Sequence, residues 1–184
     1  MKNVVIVSGV RTPVGSFGGS LKSVPVVELG SYVMKDVLKR VGLRPAVDAS
    51  HDEFSPDTLK DQGMIDLEKK GYDYDENLSP IFVDEVIMGN VLQAGQGQNT
   101  ARQAMIAAGI SRQSAAFTIN KICGSGLKAI ALGAQAIMAG QADVIVAGGQ
   151  ESMSNAPMAL NKARWGHRME LTGVGPVHDL MVYD

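Results

Sequence analysis

The feature that most constrains this chain is its alternation of short apolar runs with stretches of helix length. Val4 to Val10 is β-branched and almost continuously apolar, which predicts a strand buried on both faces. Arg11-Thr12-Pro13-Val14-Gly15 breaks it. Apolar residues then recur at Val26, Leu29, Val33, Val37, Leu38 and Val41, the spacing of an amphipathic helix, and Gly42 closes it. Strands are expected over residues 83–88, 115–122 and 143–146, the last running into Gly148-Gly149. Helices are expected over 100–108, with Thr100 as cap, and over 124–139. The order β-α-β-α-β-α-β, with helices of crossover length, calls for an α/β fold: a mostly parallel sheet with helices on both faces.

Composition narrows the function classes. Hydrophobic residues make up 45% and charged residues 20%, which excludes a disordered chain. The net charge of −2 gives no electrostatic case for a nucleic-acid or anionic-membrane partner. No apolar run approaches the ~18 residues of a membrane span, and the apolar core of the first residues is too short for a signal peptide. A single cysteine, Cys123, excludes an internal disulfide, argues against a Cys-based zinc site and suits a reducing, cytoplasmic compartment.

Two segments depart from the α/β rhythm. Residues 44–81 carry ten acidic residues against four basic ones, a net of −6 in a chain whose remainder is +4. Thr58 to Lys70 predicts a short helix with Leu59, Met64 and Leu67 inward, followed by a loop at Gly71–Asp75. Such an acidic insert is either a solvated surface insertion or a docking element. Its apolar residues, among them Ile65, Tyr72, Tyr74 and Leu78, exceed what a solvated loop needs and favour an ordered, partly buried flap. Residues 151–184 read as irregular, so the expected division is a domain over 1–150 and the start of a second over 151–184. A tail of that length without regular elements does not make a finished domain, and the fold is expected to continue in residues outside it.

The chemistry concentrates at Asn120-Lys121-Ile122-Cys123-Gly124-Ser125-Gly126-Leu127-Lys128. A strand ends, the sole cysteine follows, and two glycines open a nearly apolar helix. N–H groups and the dipole at a helix start favour thiolate over thiol and can hold a developing oxyanion. Gly124 and Gly126 leave room for an acyl group against the backbone. A lone cysteine is ordinarily a buried core thiol; this context points instead to a nucleophile. The helix that follows reads as buried between layers, a rigid mount. A nucleophilic cysteine needs a base. His51 lies in the acidic insert and His167 and His178 in the irregular tail, so each reads as a surface histidine and the base is expected from elsewhere. Gly95-Gln96-Gly97-Gln98-Asn99-Thr100 has Thr where a dinucleotide fingerprint has its last glycine, which argues against dinucleotide binding.

At this point the sequence resembles the N-terminal half of a thiolase of the acetyl-CoA acetyltransferase type. The matching blocks are Val10-Arg11-Thr12-Pro13-Val14-Gly15-Ser16-Phe17-Gly18-Gly19, Asp84 to Gly95, Gly97 to Gln103, Asn120 to Ala129, and Ala147 to Pro157. They cover residues 2–43 and 82–184, and typical thiolases lack the acidic insert between them. The resemblance implies a layered thiolase fold and makes Cys123 the residue acylated by an acyl-CoA, with its own backbone N–H on the thioester oxyanion. It implies reversible Claisen condensation or thiolysis in fatty acid metabolism, with coenzyme A thioesters as substrates and no separate cofactor or metal. Ser152 to Met169, with Lys162, Arg164 and Arg168, is similar to the family's tetramerisation loop. Leu180 to Asp184 resembles the start of the loop domain that binds coenzyme A. The family's histidine base, its water-positioning asparagine and its second cysteine belong to the C-terminal half. The resemblance therefore implies a second chain carrying that half, in a heterotetramer or larger assembly. Its alternatives are a non-catalytic thiolase-derived scaffold for an acyl-CoA enzyme and a truncated fragment.

Overall fold

The computed structural model describes residues 2–166 and 175–183. Its centre is a three-stranded parallel sheet of β3 (Glu85–Gly89), β4 (Ala115–Ile119) and β5 (Ile145–Gly149), in the order β4-β3-β5. Pairing is in step at both ends: Glu85 faces Ala115 and Ile145, and Gly89 faces Ile119 and Gly149. As the central strand, β3 is covered on both sides, which is why Val86, Ile87 and Met88 run without a polar residue.

Helices cover both faces of this sheet. On one side lie α1 (Val26–Lys39) and α3 (Thr100–Ala107), packed chiefly on each other. Met34, Leu38, Ala104 and Met105 meet Val86 and Met88 there and form the core. On the other side lies α4 (Ser125–Met138), over β3 and β5. Strand alternation sorts the side chains: Val86 and Met88 point to α1 and α3, while Gly89 points to α4. The buried stripe of α1 is Val26, Gly30, Ser31, Met34 and Leu38, rotated from the expected one, and Leu29, Val33 and Val37 are only half-buried. Gly30 explains the rotation, since a Cβ there would meet Gln150 Oε1 at 1.8 Å and Ala104 Cβ at 3.1 Å.

Three expectations need correction. Residues 4–10 are not a strand; Val5, Ile6 and Val7 are 70–80% exposed. An extended run becomes a strand only when a neighbouring backbone satisfies its N–H and C=O groups, and this segment is held instead by the Lys2–Asp143 ion pair and, further on, by Gly18 N–H donating to Ser154 Oγ at 2.9 Å. The cap of α3 is Asn99, in left-handed backbone at φ 52°, whose side chain accepts from Arg102 N–H; Thr100 instead donates to Asn90 Oδ1 at 2.8 Å. The helix expected over 58–70 is confined to α2 (Asp66–Gly71), because Asp61 and Gly63 adopt left-handed backbone at φ 59° and 58°. Glu68 and Gly71, and not Leu67, are the buried residues of α2.

The acidic segment is framed by a short parallel pair, β1 (Leu43–Pro45) and β2 (Ser79–Ile81). It packs on the end of α3. Tyr74 is buried and its hydroxyl donates to the Ala108 carbonyl at 3.0 Å. Gly109, at φ 74°, lets the chain pass Tyr72, whose Cα would lie 2.8 Å from a Cβ at that position. Burial raises the Tyr74 hydroxyl well above the ordinary tyrosine value, with Tyr72 and Asp73 adding to the shift. The unfolded chain ionises Tyr74 near pH ~10 while the folded chain resists, so stability falls as pH rises above that value. Thermal unfolding between neutral pH and pH ~11 should show Tyr74→Phe losing less stability than the wild type. It should start about 1 kcal/mol lower because its hydrogen bond is gone. Parallel alkaline losses in the two proteins would refute the assignment.

Candidate active site

All three strands of the central sheet end on one side, and Cys123 sits there, exposed and unpaired. That edge is where open parallel sheets place ligands. The chain leaves β4 at Ile119 and enters α4 at Ser125, turning within Asn120–Gly124. Ile122 makes the turn in left-handed backbone at φ 49°. Asn120 Oδ1 accepts from Ile122 N–H at 2.9 Å. Ser125 Oγ accepts from Lys121 N–H at 2.8 Å and donates to the Ile122 carbonyl at 2.6 Å. Gly124, the N-cap, has no side chain to offer, so no side chain caps the N–H groups of Gly126 and Leu127 in the first turn.

Glycines press this elbow onto the strand ends. A Cβ on Gly89 would lie 2.5 Å from Gly126 N and from the Ser125 carbonyl carbon. A Cβ on Gly149 would lie 3.3 Å from Gly126 Cα. The start of α4, two residues past Cys123, thus rests directly on β3 and β5.

A network that sequence reasoning missed ties the same edge together. Asn90, buried just past β3, donates through Nδ2 to Glu151 Oε1 at 2.8 Å and accepts from Thr100. The Glu151 carboxylate also accepts from Val91 N–H and Leu92 N–H, at 2.8 and 3.1 Å. One carboxylate therefore joins the residues after β5 to the loop after β3, and Asn90 links both to the first residue of α3. Asn90 and Glu151 both stand in stretches that match the thiolase pattern, but nothing in a linear pattern pairs residues 61 apart.

The two described histidines pack on other parts of the chain. His51 stacks on Phe82 at 4.6 Å and pairs with Asp48 at 3.3 Å. His178 packs on Tyr183 at 4.2 Å. His167 and Arg168 lie outside the described residues, while Arg164 is exposed in the turn Ala163–Trp165. Two hollows of about 400 and 500 Å³ open under the acidic segment, one lined by Arg44, Tyr72 and Glu76, the other by Leu59, Ile65 and Leu67; neither reaches Cys123. Among the described residues no three His, Cys, Asp or Glu side chains cluster as a metal site requires, and no helix is long and apolar enough to cross a membrane.

The α4 helix corrects one expectation about this site. Its inner side, Ser125, Ala129 and Gly133, is buried, but Leu127, Ile130 and Met138 are 75%, 41% and 37% exposed. The helix is nearly apolar all round, yet the described residues cover only one side of it.

Comparison with known proteins decides the family: the thiolase N-terminal domain matches residues 4–51 and 59–184. The chain belongs to the thiolase family. Its sequence is 46% identical to an acetyl-CoA acetyltransferase of Escherichia coli (strain K12) over 185 residues, covering 100% of this chain and 37% of the relative. It is 44% identical to the acetyl-CoA acetyltransferase of Syntrophomonas wolfei over 99% of this chain and 37% of the relative. Among solved structures, the acetyl-CoA acetyltransferase of Bacillus anthracis superposes with a TM-score of 0.71 at 37% identity, over 97% of this chain and 36% of that one. The chain thus spans little more than a third of the length of these thiolases and corresponds to their N-terminal part. The residues between the two matched stretches, 52–58, fall within the acidic segment.

Proposed function

We propose that this chain is the nucleophile-bearing subunit of a two-chain, cytoplasmic thiolase. The observation that carries the reading is the pairing of an exposed Cys123 with the uncovered apolar side of the helix it opens. Exposed apolar side chains clustered beside a reactive group mark an interface. A second chain corresponding to the thiolase C-terminal half would cover α4 and bring a histidine, a cysteine and most of the coenzyme A contacts to the open side of Cys123.

In this reading Cys123 sulfur attacks the carbonyl carbon of acetyl-CoA. The partner's base takes the thiol proton, the tetrahedral oxyanion rests on backbone N–H groups at the start of α4, and the C–S bond to coenzyme A breaks. Coenzyme A leaves as its thiol with that proton, and the acetyl group stays on Cys123. The partner's cysteine then removes an α-proton from a second acetyl-CoA. The resulting carbanion attacks the Cys123 thioester, forming the C–C bond of acetoacetyl-CoA and freeing the Cys123 thiolate. Thiolysis is the same sequence in reverse. The names of the relatives support the acyltransferase class, and the elbow geometry supports the role of Cys123.

Cys123→Ser, co-expressed with the partner half, should fold and assemble but lose the one-acetyl mass gain on incubation with acetyl-CoA. Its condensation rate should fall on the order of 10⁴-fold or more, as expected when a covalent nucleophile is removed. Acetylation that persists in the variant would overturn the role of Cys123. Full turnover by a homogeneous preparation of this chain would overturn the two-chain reading.

A further inference from the structure

The turn that presents Cys123 stores backbone strain. Ile122 is β-branched and sits at φ 49°, a conformation such residues rarely adopt. Its side chain is 70% exposed, so core packing does not hold it there. Strain of this kind persists only where the surroundings enforce it.

We infer that Ser125 is a positioning residue whose hydroxyl holds Ile122 in the left-handed conformation and so sets the place of Cys123 at the start of α4. The Ser125 side chain is the clamp that spans the strained peptide: Oγ accepts from Lys121 N–H at 2.8 Å on one side and donates to the Ile122 carbonyl at 2.6 Å on the other. Its own backbone N–H also reaches the Ile122 carbonyl, at 3.0 Å. Ser125 is 4% exposed, and its only proton is committed to Ile122, so it has none to give a substrate. Asn120 contributes through Ile122 N–H but leaves the carbonyl side to Ser125. Without the hydroxyl, Lys121 N–H loses its acceptor, Ile122 relaxes towards ordinary backbone, and Cys123, the next residue, turns off the start of the helix.

The inference rests on Cys123 being the working residue, and its test reads thiol presentation, independent of acyl transfer. The full chain is labelled with iodoacetamide at pH 7 as wild type, Ser125→Ala, Ile122→Gly and the double variant, with the urea-unfolded rate of each as baseline. Ser125→Ala should label about fivefold or more slowly than the wild type, because the thiol loses its fixed place at the start of α4. Glycine adopts left-handed backbone freely, so Ile122→Gly should label at the wild-type rate and melt at a higher temperature. The double variant should recover to within about twofold of the wild type, since a glycine at 122 no longer needs the clamp. A purely structural hydroxyl would not be rescued from residue 122. Wild-type labelling by Ser125→Ala, a double variant as slow as Ser125→Ala, or a lower melting temperature for Ile122→Gly each overturns the inference. The melting comparison stands even where Ser125→Ala fails to fold. Absent acyl transfer with these labelling ratios intact would count against the thiolase reading and leave Ser125 in its role.

Discussion

Gly89→Ala should dismantle the site with one methyl group. The added Cβ would lie 2.5 Å from Gly126 N and the Ser125 carbonyl carbon, and 2.7 Å from Ser125 Cβ. Two of these are backbone atoms and the third is fixed to the backbone, so no rotamer change relieves the contact. Either β3 sinks into the packed layer of α1 and α3, or α4 lifts from the sheet and takes Cys123 with it. The interior facing Met88 is close-packed, so the helix is the element that gives way. The expected loss is about 3 kcal/mol, or roughly 10 °C in Tm. Iodoacetamide labelling of Cys123 should fall to the rate of the unfolded chain. Gly148→Ala supplies the control. Its Cβ would meet Met88 Sδ at 3.6 Å, an ordinary contact with a flexible side chain, and it should melt close to the wild type. A Gly89→Ala protein that melts and labels like the wild type would show that α4 is not seated on the strand ends.

Arg112→Ala should cost about as much for an electrostatic reason. Glu68 is fully buried and accepts from the Arg112 guanidinium, from Arg112 N–H and from Ile65 N–H. The same guanidinium donates to the carbonyls of Gly63 and, at 2.8 Å, Leu59. One arginine before β4 thus gathers three points of the acidic segment. Removing it leaves a carboxylate without its cation and two carbonyls without donors, for an expected loss of about 3–5 kcal/mol by urea unfolding. Proteolysis should then begin within residues 55–66. Replacing both partners, as Glu68→Leu with Arg112→Met, should recover part of the loss, because the buried carboxylate goes together with the guanidinium that pairs it. A loss below about 0.5 kcal/mol for Arg112→Ala would place the pair in solvent and the segment loose on the surface.

Much of this was legible in the sequence. The periodic runs located α1, α3, α4 and the strands β3 to β5 within a few residues, because alternation and 3.6-residue spacing are local consequences of which faces are buried. Strand–Cys–Gly-x-Gly–helix located the elbow for a similar reason: only a tight turn into a helix uses that order.

What the sequence alone determined is the β-α alternation, the parallel sheet it requires and the residue at the chemical edge, all fixed by short-range pattern. Tertiary structure decided the rest. It left residues 4–10 without a ladder, since a strand is made by its neighbour's backbone as much as by its own side chains. It turned Glu68 inward and Leu67 outward, because Arg112, 44 positions away, supplies a charge that no local pattern announces. It joined Asn90 to Glu151 across the strand ends, and it seated α4 against Gly89 while leaving Leu127 and Ile130 uncovered. Each depends on which distant segments meet, and burial, charge pairing and backbone contact settle that only once the chain has folded.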